Sequence, residues 1–315
     1  MAERSKRGPA ATLIPADVDD ATVEVDGRHV ALTNLRKIYF PALKLTKGDL
    51  LRYYMSVADV LLPHIRERAM VMKRYPHGVT GEFFYMKRTP TPRPPWIRTC
   101  PISHRSGNVI DFPVIDDRAS LLWLINLGCI DLNPWYSRCE DPDRPLYIHF
   151  DMDPTDNTPF SVVREGALIV NDVLRGLGMT PFVKTTGSSG VHIYVAIRTG
   201  PTQHEVWAIA KEIGHQIARA HPDVLTAEYR IANRPDRHVL VDYNQNAWGK
   251  TLASIYSVRP NEEATVSTPV TWEELKNGCE LTDFTIFNVP DRIAKIGDLW
   301  KPLLSSRGRF ALHAV

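Results

Sequence analysis

The sequence has 315 residues, which is long enough for one large catalytic unit or for two modest domains with a real core. A hydrophobic content of 43% and a charged content of 23% are ordinary for a globular protein. The longest apolar run, residues 121–130, is too short to span a bilayer, and the chain opens on a polar segment without a secretory signal. We therefore expect a cytoplasmic protein with no membrane partner.

The net charge of +2 is unevenly distributed along the chain. Residues 34–105 contain 14 lysines and arginines against 4 acids, an excess of +10, so the rest of the chain carries −8. This split predicts a basic segment that faces a polyanion and an acidic region that holds cations. A solvated charged face would explain the same split without any ligand.

The four cysteines lack the Cys-x-x-Cys spacing that is typical of redox and zinc sites. In a cytoplasmic protein we expect them to be reduced thiols, and we expect neither a disulfide framework nor a zinc site. They are Cys100, Cys129, Cys139 and Cys279.

The first part of the chain predicts small elements around one long helix. Residues 1–20 are expected to form a flexible N-terminal tail, and a hairpin that turns at Asp26-Gly27 follows it. Thr46 is a suitable N-terminal cap, and the apolar spacing after it predicts a helix that ends at Pro63.

Basic and aromatic residues are interleaved between positions 73 and 87, where Lys73 and Arg74 precede Phe83 and Phe84. Rings stack on bases while lysine and arginine neutralise phosphates, so this segment is a candidate nucleic-acid contact. The alternative is that the two phenylalanines belong to the core of a strand. Because neighbouring side chains in a strand point to opposite faces, we expect at most one of them to be free for stacking.

From residue 146 onward, strands and helices follow each other in the order β-α-β-β-α-β, as in ferredoxin-like and RNA-recognition folds. Thr158 with the following proline predicts the start of the first helix. Thr202 and Glu205 form the capping-box pattern of the second helix. The predicted strands are residues 146–151, 181–184, 191–197 and 238–242.

An aspartate pair closes the first of these strands. Asp151 and Asp153 are two residues apart, so their side chains lie on the same face of the strand. The first and last strands of a β-α-β-β-α-β unit can lie side by side, which would bring Asp242 next to the pair. Carboxylates are ligands that Mg²⁺ and Mn²⁺ prefer, and three of them could hold two ions. Taken alone, the Asp-x-Asp pattern fits a surface turn equally well.

The turn Thr-Gly-Ser-Ser-Gly at residues 186–190 lies between two predicted strands of the same unit. Its glycines permit backbone N–H groups to turn toward phosphate oxygens, and the hydroxyls of Ser188 and Ser189 are further donors. His192 follows on the next strand and could donate to the same phosphates. An ordinary hairpin turn and a packed histidine explain each feature singly, whereas their combination favours a triphosphate site.

Three segments together resemble the motifs of the archaeo-eukaryotic primase superfamily: Asp-Met-Asp-Pro at 151–154, Thr-Gly-Ser-Ser-Gly-Val-His at 186–192 and Val-Leu-Val-Asp-Tyr-Asn-Gln-Asn at 239–246. The flanking sequence is similar to the polymerase domain of bacterial DNA ligase D and its stand-alone relatives. The resemblance runs from about residue 25 to about residue 300. Its supporting segments are residues 35–41, 45–49, 73–78, 94–96 and 104–107.

The resemblance implies an α+β primase-polymerase fold, in which an RRM-like or ferredoxin-like β-α-β-β-α-β catalytic half packs on a second α/β module. We expect one catalytic domain over residues 21–305. Within it, residues 21–135 would form the basic module that binds DNA and its 5′-phosphate, and residues 136–305 the catalytic module.

The resemblance also implies template-directed nucleotide addition at gaps and breaks, with ribonucleotides preferred and with two Mn²⁺ or Mg²⁺ ions as cofactors. By motif match, the catalytic and metal-binding residues would be Asp151, Asp153 and Asp242. The nucleotide-binding residues would be Ser188, Ser189, His192, Asn133, Gln245 and Arg259. The residues that bind DNA and its 5′-phosphate would be Lys37, Lys47, Lys73, Arg74, Phe83 and Phe84.

Two positions depart from the pattern of this family. Asn133 stands where the family usually has a histidine that serves the incoming nucleotide, and Ser189 stands where many relatives have a lysine. Losing both cations would weaken triphosphate binding, unless Arg234 or Arg237 compensates. The departures bear on nucleotide affinity and sugar preference, and the reaction class is unaffected.

These observations lead to one interpretation: a stand-alone, monomeric repair polymerase of the bacterial nucleoid that fills short gaps bearing a 5′-phosphate. Its partners would be gapped or broken DNA and NTP or dNTP. The first alternative is end-joining synthesis at double-strand breaks, with a separate DNA ligase and an end-binding protein. The second is a non-catalytic module that binds DNA ends. A third, metal-dependent glycosyl transfer through the Asp-x-Asp, leaves the basic segment unexplained.

Overall fold

The computed structural model describes residues 13–104 and 107–312. The N-terminal half consists of short antiparallel sheets around two helices, each of which begins at a capping box, one at Thr46 and one at Asp117. Its elements are β1 (Ala21–Val25), β2 (Arg28–Leu32), β3 (Ile38–Phe40), β4 (Leu45–Thr46), α1 (Lys47–Ile65), β5 (Met70–Arg74), β6 (Phe84–Met86), β7 (Thr99–Ser103), β8 (Val109–Pro113), α2 (Arg118–Asn126) and β9 (Cys129–Pro134).

Two expectations for this half need correction. Pro63 does not end α1, which continues to Ile65; a proline removes only its own hydrogen bond to the preceding turn, and α1 accommodates that loss near its end. The predicted tail is docked where the structure describes it, because Ile14 is 1% exposed and Arg52 donates to the carbonyl oxygens of Ile14 and Pro15 at 3.2 and 3.0 Å. Residues 1–12 of that tail lie outside the described residues.

The C-terminal half contains the predicted β-α-β-β-α-β unit. The elements are β10 (Tyr147–Pro154), α3 (Phe160–Gly176), β11 (Pro181–Thr185), β12 (Val191–Ala196), α4 (Gln203–Ala220), β13 (Leu225–Thr226), β14 (Val239–Asp242), β15 (Pro269–Val270), α5 (Trp272–Lys276) and α6 (Val289–Ile296). The four principal strands lie in the order β14-β10-β12-β11 and are antiparallel, with β13 and β15 added at the two edges.

The caps of the two long helices differ in this half. Thr202 and Glu205 form the capping box predicted for α4. Thr158 does not cap α3: Pro159 is the N-cap residue, and the Thr158 hydroxyl donates to the carbonyl oxygen of His238 at 2.9 Å. That hydrogen bond ties the start of α3 to the chain that enters β14.

One hydrophobic core runs through both halves, from Ile14 to Leu303. Tyr53 and Tyr54 of α1 connect the halves, because the Tyr53 hydroxyl donates to the carbonyl oxygen of Tyr256 and the Tyr54 hydroxyl accepts from the Val258 amide. The predicted division of the domain into two modules, residues 21–135 and 136–305, therefore stays a prediction. Within the described ranges, no helix is both long and apolar enough to cross a membrane.

The expectation of four reduced cysteines is wrong for one pair. Cys100 on β7 and Cys139, just after β9, form a disulfide with their Cα atoms 5.7 Å apart. Both line a second small core around Phe112 and Trp135. They are 39 residues apart in sequence and meet only through the packing of that core, so cysteine spacing could not reveal the pair.

Candidate active site

The three predicted carboxylates meet at one place on the central sheet. Asp151 of β10 pairs directly with Asp242 of β14, and Asp153 lies two residues further along β10 on the same face. One carboxylate oxygen from each of the three lies within 4.8 Å of the others. The β-α-β-β-α-β order thus produces the cluster that the sequence predicted.

Burial of this cluster makes the charged carboxylates unstable without a cation. Burial, together with the negative charge of Asp242, raises the pKa of Asp151 to about 7. Burial, together with the charges of Asp151 and Asp242, raises the pKa of Asp153 to about 8. A positive ion among the three oxygens would remove this penalty.

The donor set fits a divalent metal ion. All three ligands are hard carboxylate oxygens, the type that Mg²⁺ and Mn²⁺ prefer. Asp151 is 6% exposed, and its Oδ1 atom is buried without a hydrogen-bond partner among the described residues. An unpaired buried carboxylate oxygen is costly, and metal coordination would satisfy it.

Asp242 is held by three neighbours. The hydroxyl of Tyr229 and the amide of Asn244 donate to its Oδ1, and the side-chain amide of Gln245 donates to Oδ2 at 2.8 Å. Gln245, predicted to contact the nucleotide, thus lies against a candidate metal ligand. Sequence reasoning missed Tyr229, which lies 13 residues before Asp242 and outside all three motifs.

The turn at residues 186–190 differs from the expected phosphate cradle. The backbone N–H groups of Ser188, Ser189 and Gly190 all donate to the Thr186 hydroxyl, at 3.0–3.2 Å, so they do not point to an open site. The hydroxyl-bearing side chains of Ser188 and Ser189 remain exposed. Gly190 is required because a Cβ there would collide with the carbonyl oxygen of Met152 on β10.

His192, predicted to contact the triphosphate, lies at the edge of the carboxylate cluster and is 3% exposed. It pairs with Asp151 across β12 and β10, and its Nε2 is 3.2 Å from Asp151 Oδ1. Its Nδ1 contacts the ammonium nitrogen of Lys184 at 2.7 Å. Sequence reasoning missed Lys184, a fully buried lysine inside an apolar strand, which is itself an unusual pattern.

Asp131 of β9 links two of the predicted ligand-binding cations. Its Oδ2 is 3.7 Å from Arg259 Nη1 and 4.0 Å from Lys73 Nζ, and the residue is 2% exposed. Arg259 packs against the turn at Gly187, where a Cβ would lie 2.7 Å from its Cγ atom. Asn133 is on the same face of β9 and is buried, with its side-chain amide donating to the Asp131 carbonyl oxygen at 3.3 Å.

An exposed aromatic cluster adjoins this group. Phe83, Phe84 and Tyr85 are 49%, 42% and 63% exposed, so the expectation that at most one phenylalanine is free is wrong. Phe83 precedes β6, where the alternation of a strand does not apply. Lys73 Nζ lies 4.3 Å from the centre of the Phe83 ring, and the Arg74 guanidinium lies 5.3 Å from that of Phe84.

The two other predicted DNA-binding lysines are neighbours. The Lys47 amide donates to the Lys37 carbonyl oxygen at 2.8 Å. The Lys47 ammonium donates to Thr33 O and that of Lys37 to Pro76 O, both at 2.7 Å, which leaves further hydrogens on each. Burial, together with the charge of Lys37, lowers the pKa of Lys47 to about 8.

Comparison with known proteins adds an independent observation. Residues 46–300 match the family model of the LigD primase-polymerase domain. The multifunctional non-homologous end joining protein LigD of Mycolicibacterium smegmatis is 32% identical over 276 residues, which cover 87% of this chain and 36% of that protein. The bifunctional non-homologous end joining protein LigD of Bacillus subtilis is 33% identical over 266 residues, which cover 84% of this chain and 42% of that protein. The chain thus spans well under half the length of these relatives.

The fold agrees with that of a solved relative. The polymerase domain from Mycobacterium tuberculosis ligase D, in complex with DNA, superposes with a TM-score of 0.82 at 30% identity. The match covers 88% of this chain and 98% of that domain. With a family match over most of its length and the same α+β fold, the chain belongs to the LigD primase-polymerase domain family of nucleotidyltransferases.

Proposed function

We propose that this chain is a template-dependent DNA repair polymerase that extends a primer across short gaps bearing a 5′-phosphate. The observation that carries the proposal is the buried cluster of Asp151, Asp153 and Asp242, which combines three metal-type ligands with one unpaired oxygen. The basic and aromatic groups of the N-terminal half lie on the same chain, as a polymerase that holds a DNA end requires.

The reaction would join the primer 3′-hydroxyl to the α-phosphorus of the nucleotide and release pyrophosphate. Two divalent ions, bound at the three aspartates, would activate the hydroxyl and neutralise the leaving group. Tyr229 and Gln245 would keep Asp242 in place through their hydrogen bonds to its two oxygens. No other carboxylate is required as a general base in this scheme.

The triphosphate would lie along the turn at residues 186–190. The exposed hydroxyls of Ser188 and Ser189 and the Nε2 atom of His192 are the donors that face this edge of the sheet. Arg259 adds a positive charge beside Gly187. Asn133, which contacts the backbone of Asp131, would lie near the nucleotide and influence whether ribo- or deoxyribonucleotides are used.

The DNA would lie on the basic module. Lys37 and Lys47 would hold the 5′-phosphate of the downstream strand, since each ammonium has hydrogens left after its contact with a carbonyl oxygen. Phe83 and Phe84 would pack against the bases at the gap, with Lys73 and Arg74 beside the phosphates.

Primer extension on a short-gapped duplex tests the proposal. The substrate would carry or lack the downstream 5′-phosphate, with ribo- or deoxyribonucleotides and with Mn²⁺ or Mg²⁺, beside Asp151→Ala. We expect extension that requires a divalent ion, increases with the 5′-phosphate, favours ribonucleotides and is absent in the variant. Phosphate-dependent DNA binding without extension under any condition would instead support a non-catalytic end-binding module.

End-joining synthesis is the second candidate function. It is favoured by the curated relatives, which are described as non-homologous end joining proteins. The same chemistry would then operate on two DNA ends bridged by a ligase and an end-binding protein. Extension of paired ends with short complementary overhangs, compared with extension of a gapped duplex, separates the two functions.

A further inference from the structure

Lys184 belongs to a row of four side chains that crosses the central sheet. In the strand register, Lys184 of β11 is opposite His192 of β12, His192 is opposite Asp151 of β10, and Asp151 is opposite Asp242 of β14. Directly opposed residues of antiparallel strands point to the same face. A lysine therefore lies at one end of a row whose other end is the carboxylate cluster.

Lys184 cannot reach a ligand itself, because it is 0% exposed. Its Nζ contacts His192 Nδ1 at 2.7 Å and the hydroxyl of Ser267 at 2.5 Å. The Ser267 hydroxyl donates to the carbonyl oxygen of Thr185 at 2.9 Å, so its oxygen accepts a hydrogen from Lys184. Lys184 is thus anchored at Ser267 and acts on the site only through the ring of His192.

We propose that Lys184 is a positioning residue that fixes His192 in the tautomer with its hydrogen on Nε2, facing Asp151 and the nucleotide. A neutral imidazole carries one N–H, and the other nitrogen is an acceptor. An ammonium has no lone pair and can only donate to Nδ1, whereas an amine could also accept a hydrogen from Nδ1, so the proposal is that the charged lysine sets the tautomer.

The opposite tautomer is disfavoured at the other end of the ring. Nε2 lies 3.2 Å from Asp151 Oδ1, although the two atoms do not form a hydrogen bond. If Nδ1 carried the hydrogen, the lone pair of Nε2 would lie beside the charged carboxylate, and the two would repel each other. With the hydrogen on Nε2, the same contact is attractive. A phosphate oxygen is also only an acceptor, so the tautomer that suits Asp151 is the one that a triphosphate requires.

A small cavity borders the buried lysine. A cavity of about 30 Å³, bordered by Lys184, Tyr136 and Tyr194, adjoins the site and is large enough for one water molecule. Ser267 and His192 contact Nζ, and a water molecule in this cavity would be a third hydrogen-bond partner. Burial, followed by the charge of Arg259, lowers the pKa of Lys184 well below its usual range.

The tautomer can be measured directly in the intact protein by two-bond ¹H–¹⁵N spectra of histidine labelled with ¹⁵N. The His192 signals would be assigned by their loss in His192→Gln. We expect wild type to show a protonated Nε2 and an unprotonated Nδ1. A wild-type spectrum with the hydrogen on Nδ1 would overturn the proposal, and this readout requires neither a variant at Lys184 nor any enzymatic activity.

Lys184→Met removes the donor and keeps an unbranched side chain of similar length. We expect at least a tenth of His192 to shift to the Nδ1–H tautomer in this variant, while the exposed Lys211→Met leaves the spectrum unchanged. An unchanged His192 tautomer in folded Lys184→Met would show that Asp151 alone fixes the ring, against the proposal.

The consequence for nucleotide binding rests on the proposed polymerase function. We expect Lys184→Met to raise the KM for the incoming nucleotide about tenfold with a smaller change in kcat, as for loss of one charge-assisted hydrogen bond. Because Lys184 acts through His192, adding Lys184→Met to His192→Gln should cause no further loss. If the losses caused by the two substitutions added up, Lys184 would act independently of His192. Absence of turnover in wild type would contradict the proposed function and leave the tautomer result standing.

Discussion

Asp242 lies directly opposite Asp151 in the pairing of β14 with β10, so the backbone of the sheet holds two carboxylates face to face. The sheet fixes both Cα positions, so the two carboxylates stay at neighbouring positions on one face. Asp153 adds a third carboxylate on the same face, and burial raises the pKa values of Asp151 and Asp153. The fold therefore holds buried carboxylates that repel each other, and a bound cation would remove this repulsion.

The first prediction concerns the charge of Asp151. Asp151→Asn keeps the shape of the side chain and removes the repulsion, so we expect the metal-free variant to melt at a higher temperature than wild type. Millimolar Mn²⁺ should raise the melting temperature of wild type and not that of the variant. Differential scanning fluorimetry measures both effects, with the exposed Asp156→Asn as a control. A full response to Mn²⁺ in Asp151→Asn would exclude Asp151 from the metal site.

The second prediction is that the metal-free protein loses stability as the pH rises. The pKa values of Asp151 and Asp153 are raised to about 7 and about 8 from an ordinary 3.8, so the folded state binds more protons than the unfolded state between these values. Their contribution to stability is complete below about pH 4 and is lost as the pH rises through about 8. Urea unfolding across this range should show the decline in wild type and a shallower one in Asp151→Asn. Saturating Mg²⁺ should reduce the decline in the stability of wild type.

The third prediction tests Tyr229 as a positioning residue for Asp242. Tyr229→Phe removes one hydrogen bond to Asp242 Oδ1 and one from the Asn244 amide. We expect a stability loss of about 1 kcal/mol and a several-fold higher Mn²⁺ concentration for half-maximal extension. The exposed Tyr85→Phe is the matched control for the metal titration. If both variants required the same Mn²⁺ concentration as wild type, Tyr229 would have no role in the site.

The fourth prediction concerns the aromatic cluster. Phe83→Ala and Phe84→Ala should leave the melting temperature nearly unchanged, because both rings are about half exposed. Each variant should weaken binding to gapped DNA by about 1–3 kcal/mol, the usual cost of losing a base-stacking ring. Fluorescence anisotropy measures the change, with the exposed Leu177→Ala as the control. Unchanged affinity in both variants would exclude the rings from the DNA contact.

Sequence patterns could predict the carboxylate cluster because it follows from local rules. Strand alternation places Asp151 and Asp153 on one face, and the β-α-β-β-α-β order brings Asp242 beside them. The partners of the cluster depend on long-range packing that no local rule contains. Lys184 meets Ser267 across 83 residues, and Tyr229 reaches Asp242 from the loop between β13 and β14.

The errors have equally specific causes. The Gly-rich sequence of the turn fits amides that point to phosphate, but the Thr186 hydroxyl accepts three of these amides. The same residues are compatible with both arrangements, so the motif alone cannot tell them apart. The Cys100–Cys139 pair forms because two segments pack into one small core. The first arrangement is local to five residues, and the second is set by the tertiary fold.

The fifth prediction is that recognition of a 5′-phosphate by Lys47 weakens above about pH 8. Burial, together with the charge of Lys37, lowers the pKa of Lys47 to about 8, so the free protein loses this charge as the pH rises through that value. The ratio of affinities for phosphorylated and unphosphorylated gaps should therefore fall between about pH 7 and about pH 9. Bound phosphate favours the charged lysine and shifts the midpoint upward.

Substitution of Lys47 identifies the titrating group. Lys47→Met should lower the ratio at pH 7 and make it nearly independent of pH, while the exposed Lys44→Met should behave like wild type. Affinity for the unphosphorylated gap should change little in either variant, because under the proposed function this charge contacts only the 5′-phosphate. Anisotropy titrations at three pH values measure all of these ratios. An equal loss of affinity for both gaps in Lys47→Met would show that this lysine holds the DNA backbone generally and does not read the 5′-phosphate.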